Sequence, residues 1–309
     1  MQEMTASGPL VVDDCGMAPF QYDDERIFHF QDYFLMADHQ MAGDVMGTPF
    51  HWSGETDGII LNGQGVAKGK TASPGGPGGN IGFFGSGWSS HPAGAHGYGI
   101  HRRDMTSMTQ VQATGDCSLP VIDVEPGMTY RFRFIGGTAL SLVTVGFEGH
   151  DNLTIVQADG SEYNAPHPAS HIQVGAGQRF DVIFKTKTTE ELVADGNKPS
   201  YFIQFETRDR PGEYRGYGVL RYNRAADIPV APENPVIVLP TSAEGWMEYA
   251  LQPLYPDKND FPTADEVTRR VIIDCELLRD DKTGGLRWEL AHLSWTESSY
   301  QTPALVDIY

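Results

Sequence analysis

Residues 126–136 of the 309-residue chain read PGMTYRFRFIG, and this stretch decides the fold. Pro126 and Gly127 form a turn signal, because proline presets φ and glycine accepts a positive φ at little steric cost. From Tyr130 onward, large apolar residues alternate with arginines, and this period of two is typical of a strand that buries one face. The stretch therefore predicts a turn followed by a half-buried β-strand over residues 130–136.

The same signals continue in both directions from this strand. Short apolar or alternating segments, bounded by glycine, proline, asparagine and aspartate, recur along the chain. The candidate strands are residues 8–12, 26–34, 58–61, 121–124, 130–136, 141–147, 153–158, 171–174, 179–185, 201–207 and 216–222. Helical signal is thin, and we expect only a short turn over residues 188–194. The pattern predicts an all-β protein built as an antiparallel β-sandwich.

Composition limits the partners of the chain. It contains 22 Lys and Arg against 41 Asp and Glu, for a formal net charge of −19. Such a field repels phosphates and anionic lipids, so neither a nucleic acid nor a membrane is expected as a partner. Hydrophobic residues make up 40% of the chain, enough for a sizeable core. No uncharged apolar run approaches the roughly 18 residues of a membrane helix, so we expect a soluble folded protein.

The cysteines and the N-terminus bear on the cellular compartment. Cys15, Cys117 and Cys275 are too widely spaced for a dense disulfide scaffold or a C-x-x-C metal knuckle, and their pairing stays open. The first residues, MQEMTASG, have neither a basic nor an apolar signal region. We expect an intracellular protein from the sequence as written, or a secreted one if it is a fragment of a longer secreted protein.

Two breaks interrupt the strand pattern. Residues 66–99 are rich in glycine, serine, proline and aromatics, and they lack the G-x-x-x-x-G-K-[ST] spacing of a phosphate loop, which indicates a long surface insertion. Residues 225–262 are rich in proline and acids and resemble an interdomain linker. Beyond them, residues 271–277, 286–293 and 304–309 look like three more strands, too few to close a domain.

Several blocks of sequence together resemble the multicopper oxidase family. Residues 57–65, DGIILNGQG, are similar to the D-G-[IL]-L-[IL]-N-G-x-G segment of its central cupredoxin domain, and residues 126–135 to its P-G-x-x-Y-R-[FL]-R-[FIL]-[IV] block. Residues 149–160 and 177–182 match its G-H…A-D-G and G-Q-R-[YF]-D-V blocks, and PFHWSG at residues 49–54 resembles the laccase and ascorbate oxidase branch. The resemblance implies a plastocyanin-like (cupredoxin) Greek-key β-sandwich with incomplete flanking cupredoxin segments.

The resemblance also implies a domain organisation. Residues 1–19 are similar to the end of a first cupredoxin domain, and residues 20–228 to the central plastocyanin-like domain, with the Gly-rich insertion at 66–99. Residues 229–265 would be a linker, and residues 266–309 the first strands of a third domain. The family motifs W-Y-H-S-H of the first domain and H-P-x-H-x-H and H-C-H of the third do not occur in the sequence. The chain thus resembles the middle of a longer oxidase.

Copper ligation depends on the spacing of the ten histidines, which are residues 29, 39, 51, 91, 96, 101, 150, 167, 171 and 292. The family's trinuclear copper cluster needs His-x-His pairs, because alternate strand residues share a face, yet no two of these histidines are one residue apart. A type-1 site needs a cysteine with two histidines, and no histidine closely follows any cysteine. We therefore predict no family-type metal site, no cofactor and no assignable catalytic residue in this chain, although the full-length family uses copper.

The remaining metal candidates are His91, His96 and His101, which are spaced by five residues in the insertion. Three imidazoles could bind zinc or copper if the loop folded back on itself. We favour solvated loop histidines, because metal sites are usually built on braced elements. His167 and His171 are interpreted in the same way, as surface-loop residues with a metal role as the alternative.

Other polar and aromatic residues also admit structural explanations. We expect ion pairs for four charged residues on strands, which are Arg131, Arg133, Arg179 and Asp181. Asp57 and Asn62, on either side of strand 58–61, are expected to shape turns through side-chain hydrogen bonds to the backbone. His150 is expected to be structural. Aromatic residues of the insertion could line a cleft for a planar phenolic ligand, but we favour their anchoring the loop; these are Phe83, Phe84, Trp88 and Tyr98. Residues 136–140, which match a loop near the family's phenol pocket, carry no carboxylate.

Three functions stay open at this point. The first is a laccase- or ascorbate-oxidase-like oxidoreductase, whose family reaction couples oxidation of phenol-like substrates to reduction of dioxygen; this chain alone should not perform it. The second is a copper-free cupredoxin module that binds or tailors a small aromatic natural product. The third is a structural partner that docks onto a second copy or another cupredoxin chain through its terminal strands, because unpaired strand edges template association.

Overall fold

The computed structural model describes residues 8–12, 18–52, 54–65, 119–160, 162–242, 247–256 and 262–294. Its elements in chain order are β1 (Asp24–Tyr33), α1 (Asp38–Val45), β2 (Gly58–Leu61), β3 (Val121–Asp123), β4 (Thr129–Gly136), β5 (Leu142–Phe147), β6 (Leu153–Ala158), β7 (Tyr163–Ala169), β8 (Ile172–Val174), β9 (Arg179–Lys185), α2 (Thr189–Ala194), β10 (Ser200–Arg208), β11 (Arg215–Arg221), β12 (Cys275–Arg279) and β13 (Leu286–Leu290). Strands dominate these residues, and the all-β class is confirmed.

Two sheets pack face to face as a β-sandwich. The six-stranded sheet has the order β2-β1-β4-β9-β6-β7, and the five-stranded sheet has the order β3-β11-β10-β5-β8. Phenylalanine rings from the two sheets meet between them: Phe28 lies 5.7 Å from Phe147, and Phe30 lies 5.5 Å from Phe205. Burial of this aromatic surface is the main stabilising contribution, at about 25 cal/mol per Å² of apolar area. The sandwich predicted from the sequence is present.

Strand β4 follows the alternation that the sequence displays. Tyr130, Phe132 and Phe134 are buried in the core between the sheets, while Arg131 and Arg133 lie on the opposite face of the six-stranded sheet. Two strand pairs differ from the expected antiparallel arrangement: β1 runs parallel to β4, and β3 runs parallel to β11. Short-range turn signals cannot reveal such pairs, because each joins strands that are distant in sequence.

Two strand predictions require correction. Residues 8–12 form no strand, and all five are exposed, with Leu10 at 87%. Conversely, β7 was not predicted, because its Pro166 and Pro168 argue against a strand. The strand lies at the edge of its sheet, which is where prolines are tolerated within a strand. The predicted strand at 304–309 lies outside the described residues.

The two helices are short. Helix α2 begins with a capping box: Thr188 Oγ1 accepts a hydrogen bond from the Glu191 backbone N at 3.3 Å, and Glu191 Oε2 accepts one from the Thr188 backbone N at 2.7 Å. A helix therefore stands where a short turn was expected. Helix α1 was not predicted, and none of its residues is buried. No helix among the described residues has the length and apolar character needed to cross a membrane.

Residues 228–242, which we call the strap, pack against the outer face of the five-stranded sheet. Leu239 is buried, and Val236 packs beside Val219 of β11. Farther on, the Ala165 backbone N donates to Gln252 O at 2.8 Å. Composition alone suggested a linker here, because it does not reveal which sandwich side chains bind the segment. The domain boundaries implied by the resemblance stay a prediction.

The described residues fall into two compact units. The sandwich unit contains residues 8–12, 18–38, 54–65, 119–160, 162–242 and 247–256, and the hairpin unit contains residues 39–52 and 262–294. In the hairpin unit β12 and β13 pair antiparallel, and the backbone N of Phe50 donates to Gly284 O at 3.0 Å. The predicted strand at 271–277 is displaced, because β12 begins four residues later and ends two residues later, and the predicted strand at 286–293 ends three residues earlier, at Leu290.

Candidate functional site

Four histidines of the described sandwich lie on separate elements. His29 is on β1, His150 is in the turn after β5, His167 is on β7 and His171 immediately precedes β8. His167 and His171 were expected in a surface loop, and the structure corrects this for His167, which lies on an edge strand. No group of three potential metal ligands forms among the described residues of the sandwich.

His150 is held by hydrogen bonds at both ring nitrogens. Its Nδ1 lies 2.7 Å from Glu148 O, and its Nε2 lies 2.8 Å from the Tyr222 hydroxyl, which itself accepts from the Lys187 backbone N at 2.9 Å. These partners assign the proton to Nδ1, so that Nε2 accepts from Tyr222. Burial lowers the pKa of His150 and keeps the ring neutral. With neither nitrogen free, His150 is structural, as the sequence suggested.

A groove of about 430 Å³ lies beside β1, and we call it the His29 groove. It is lined by Gly8, Pro9, Ile27, His29, Gln31, Asn62 and Gly63. His29 is only 5% exposed, and burial lowers its pKa. A Cβ placed on Gly137 would come within 2.3 Å of His29 Nε2, so glycine is required there. The groove thus presents a neutral imidazole beside apolar and amide surface.

A buried carboxylate supports the loop that follows β4. Asp32 Oδ2 accepts hydrogen bonds from the backbone N of Ala139 at 2.8 Å and of Leu140 at 2.7 Å. Asp32 Oδ1 accepts another from Ser141 Oγ at 2.5 Å. Residues 136–140 themselves carry no carboxylate, and no local sequence signal indicates that Asp32 of β1 supplies one. Because Asp32 is engaged by these donors, it fixes the loop rather than facing a ligand.

The outer face of the six-stranded sheet carries a buried charge network. Arg131 Nε donates to Asp181 Oδ2 at 2.9 Å, and Arg133 donates to both carboxylate oxygens of Glu25 at 2.9 Å. Burial disfavours the charged form of Arg131, but attraction to Asp181 outweighs it and raises the pKa of Arg131. The predicted strand-to-strand ion pairs are confirmed. Arg179 lies apart from this network and pairs with Asp159 at 3.5 Å.

A second network binds the strap to the five-stranded sheet. The fully buried Gln204 accepts from the Val236 backbone N at 2.8 Å and donates to Ile237 O at 3.0 Å. Arg208 donates to Pro240 O and to Glu206. Burial raises the pKa of Glu206, but hydrogen bonds from Arg215 and Arg208 outweigh it and leave the pKa below its ordinary value. Side chains of β10 thus hold the strap by hydrogen bonds to its backbone.

The turn residues behave as predicted. Asn62 has a positive φ of 52°, and its side chain accepts from the His29 backbone N at 2.8 Å and donates to Ile27 O at 2.7 Å. Asp57 Oδ2 accepts from the Leu35 backbone N at 2.8 Å. The candidate metal ligands and aromatics of the insertion lie outside the described residues; these are His91, His96 and His101, and Phe83, Phe84, Trp88 and Tyr98.

In the hairpin unit, the structure brings together three side chains that the sequence analysis did not single out. Glu276, Glu289 and His292 place their possible ligand atoms within 4.8 Å of one another. The sequence contains little sign of this group, because Glu276 and Glu289 are separated by twelve other residues and face each other only through the pairing of β12 with β13.

The family assignment follows from comparison with known proteins. A family model described as multicopper oxidase matches residues 24–225, which span the sandwich from β1 to just beyond β11. The chain belongs to the multicopper oxidase family. The sequence resemblance and the cupredoxin β-sandwich that it implied are thereby confirmed.

Similar multicopper oxidases are longer than this chain. Laccase-like multicopper oxidase 1 of Thermothelomyces thermophilus is 54% identical over 309 residues, covering 100% of this chain and 48% of that protein. Multicopper oxidase aurL2 of Gibberella zeae is 33% identical over 323 residues, covering 100% of this chain and 47% of that protein. The chain spans about half the length of the curated relatives it matches.

Solved structures give the same fold. The crystal structure of Fet3p, described as a multicopper oxidase that functions in iron import, superposes with a TM-score of 0.59 over 90% of this chain and 41% of that chain. The sequence identity is 15%, so the likeness concerns the fold alone.

Copper is the cofactor of this family, and the described residues do not fit a family copper site. The sandwich histidines are dispersed, and both ring nitrogens of His150 are already bound. Cys275, the cysteine that the described residues contain, is exposed and belongs to no group of three ligands. A type-1 site requires a thiolate with two imidazoles, and that donor set is not assembled in these parts of the chain.

Proposed function

We propose that this chain forms the copper-free central scaffold of a laccase-like oxidoreductase. The family match over residues 24–225, combined with a sandwich whose histidines are dispersed or internally bound, is the observation that supports this proposal. In the full-length enzyme, one-electron oxidations of a phenol-like substrate would supply the electrons that reduce dioxygen to water. The present chain would contribute folded support and a substrate-side surface rather than the copper ligands.

The residues of the scaffold would act by positioning. Asp32 holds the loop after β4 by accepting its backbone N–H groups, so the surface beside that loop is preorganised. The Arg131 network stiffens the outer face of the same sheet. Neither group transfers electrons or protons in this proposal.

The test is spectroscopic and kinetic. We expect the purified chain, after incubation with copper salt and dialysis, to show no intense blue thiolate band and no oxygen consumption with 2,6-dimethoxyphenol. Copper content alone does not decide, since imidazole and carboxylate groups elsewhere bind copper without that band. A blue band together with phenol-dependent oxygen uptake by the isolated chain would contradict the proposal.

The His29 groove favours a second function, a module that binds a small aromatic ligand. A neutral imidazole accepts a hydrogen bond from a phenolic hydroxyl, and Pro9 and Ile27 offer apolar contact to a ring. The volume of about 430 Å³ lies within the range of small-ligand sites.

Guaiacol titration followed by NMR tests this alternative. We expect the ring signals of His29 to shift on binding, and the variant His29→Phe to bind about tenfold more weakly because it loses the acceptor. His167→Asn serves as the control, since His167 lies on β7, the edge strand at the opposite end of the six-stranded sheet from β2. Equal binding by all three proteins would remove the groove from consideration.

A further inference from the structure

Two carboxylates face each other across the β12–β13 hairpin. Glu276 on β12 and Glu289 on β13 are direct partners in the antiparallel register. Like charges in directly opposite positions destabilise a strand pair, so this arrangement calls for a compensating positive charge. Arg287 supplies one such charge to Glu289 from the same face of β13. The neighbouring pair, Leu277 and Trp288, lies on the other face of the hairpin and supplies none.

An imidazole completes the group. His292 follows β13 by two residues, and its Nδ1 lies 3.6 Å from Glu276 Oε2. The possible ligand atoms of all three side chains lie within 4.8 Å of one another. Ligand atoms that bind one tetrahedral cation at about 2.1 Å lie about 3.4 Å from one another. Small side-chain rotations would bring the three groups to that separation.

Glu289 is the least exposed member of this group, at 8%. Its Oε1 lies 2.8 Å from Arg287 Nε and accepts a hydrogen bond from Ser294 Oγ at 3.5 Å. The two carboxylates and the Arg287 guanidinium together carry a net charge of −1, which favours a bound cation.

We propose that Glu276, Glu289 and His292 bind a divalent first-row transition metal ion, with zinc as the representative. One imidazole nitrogen and two carboxylate oxygens match the ligands of zinc, whereas calcium and magnesium select oxygen ligands alone. Three protein ligands leave one position for water. The ion would tie β12 to β13 and to the turn that follows. This site is independent of the family's coppers and of the proposed scaffold function.

Zinc titration of the full chain by calorimetry tests the site. We expect one zinc-binding step per chain that weakens about tenfold or more in Glu276→Gln and in His292→Asn, because each variant removes one ligand. Both side chains are exposed, so neither substitution should disturb folding. The matched controls are His167→Asn and Glu233→Gln, which lie in the sandwich unit and should bind as the unmodified chain does.

Two results of the zinc titration would contradict the proposed site. Identical isotherms for the unmodified chain and both ligand variants would overturn the proposal, as would calcium binding tighter than zinc binding. The absorption spectrum of the chain with cobalt in place of zinc gives a second measurement. Nitrogen and oxygen ligands produce no sulfur-to-cobalt charge-transfer band, so we expect none. A sulfur band that disappears in Cys275→Ser would place the ion on the thiol instead and contradict the assignment.

Discussion

The sandwich unit and the hairpin unit treat their hydrophobic residues in opposite ways. The sandwich buries its large apolar side chains between two sheets, with Phe28, Phe132 and Phe184 among those fully covered. The hairpin unit exposes its own, including Ile272, Trp288 at 64% and Leu293.

This contrast shows that local strand pairing and core formation are separable. The β12–β13 ladder forms without a buried apolar face, and an isolated two-stranded hairpin is marginal in water. The sandwich has eleven paired strands and a continuous aromatic core, which suffice for independent stability. Exposed apolar patches of the hairpin kind mark surfaces that associate.

The largest expected effect is on the free energy of unfolding, and it compares one aromatic residue from each unit. Phe132 is fully buried and stacks on Phe184 at 4.5 Å, so Phe132→Ala should lower the free energy of unfolding by about 4 kcal/mol through lost burial and a cavity. Trp288→Ala should change it by about 0.5 kcal/mol or less, because that ring is already in solvent. Urea unfolding followed by tryptophan fluorescence and circular dichroism measures both. Equal losses would contradict the contrast.

The fold was predictable where its signals are local. Alternation placed the strand at Tyr130, and the family blocks identified the sandwich around it. The parallel partners of β1 and β11 were not predictable from periodicity, because pairing between distant strands leaves no short-range signature. Strand β7 was missed because its prolines normally break a ladder, and only an edge position tolerates them.

The candidate sites were predictable only in part. Turn geometry at Asn62 and ion pairing at Arg131 follow from residue type and strand position. The support of the loop after β4 by Asp32 and the grouping of Glu276 with Glu289 depend on register, which brings together residues far apart in sequence. Single-sequence reasoning has no access to that register.

The next effect concerns the charge network of the sandwich. Asp181→Asn leaves the buried Arg131 guanidinium with its closest countercharge removed, and should cost about 3 kcal/mol of unfolding free energy. The double variant Arg131→Met with Asp181→Asn should cost less than the sum of the single variants, because no unpaired charge remains. Urea denaturation of the four proteins measures the coupling. Strict additivity would show that the pair acts independently.

A smaller effect should appear as a pH dependence. Burial opposes the ionisation of Glu206, but bonds from Arg215 and Arg208 hold its pKa below the ordinary value of 4.5. A lowered folded-state pKa contributes stability that is present above the unfolded-state value and is lost as the pH falls through the folded-state value. Glu206→Gln should therefore be less stable than the unmodified chain at pH 7, by about 1–2 kcal/mol, and should approach it as the pH falls below the folded-state pKa of Glu206. The exposed Glu233→Gln is the control, and a pH-independent difference would contradict the assignment.

The smallest expected effect on the sandwich is the removal of most of the hairpin unit. A chain ending at Pro262 keeps every strand of both sheets and the strap, so its free energy of unfolding should stay within about 1 kcal/mol of the full chain. Self-association should decrease, because the exposed Ile272, Trp288 and Leu293 are gone. Urea denaturation measures the first quantity and sedimentation velocity the second. Sandwich unfolding on this deletion would show that residues after 262 belong to its core, and unchanged association would move the self-associating surface to the sandwich itself.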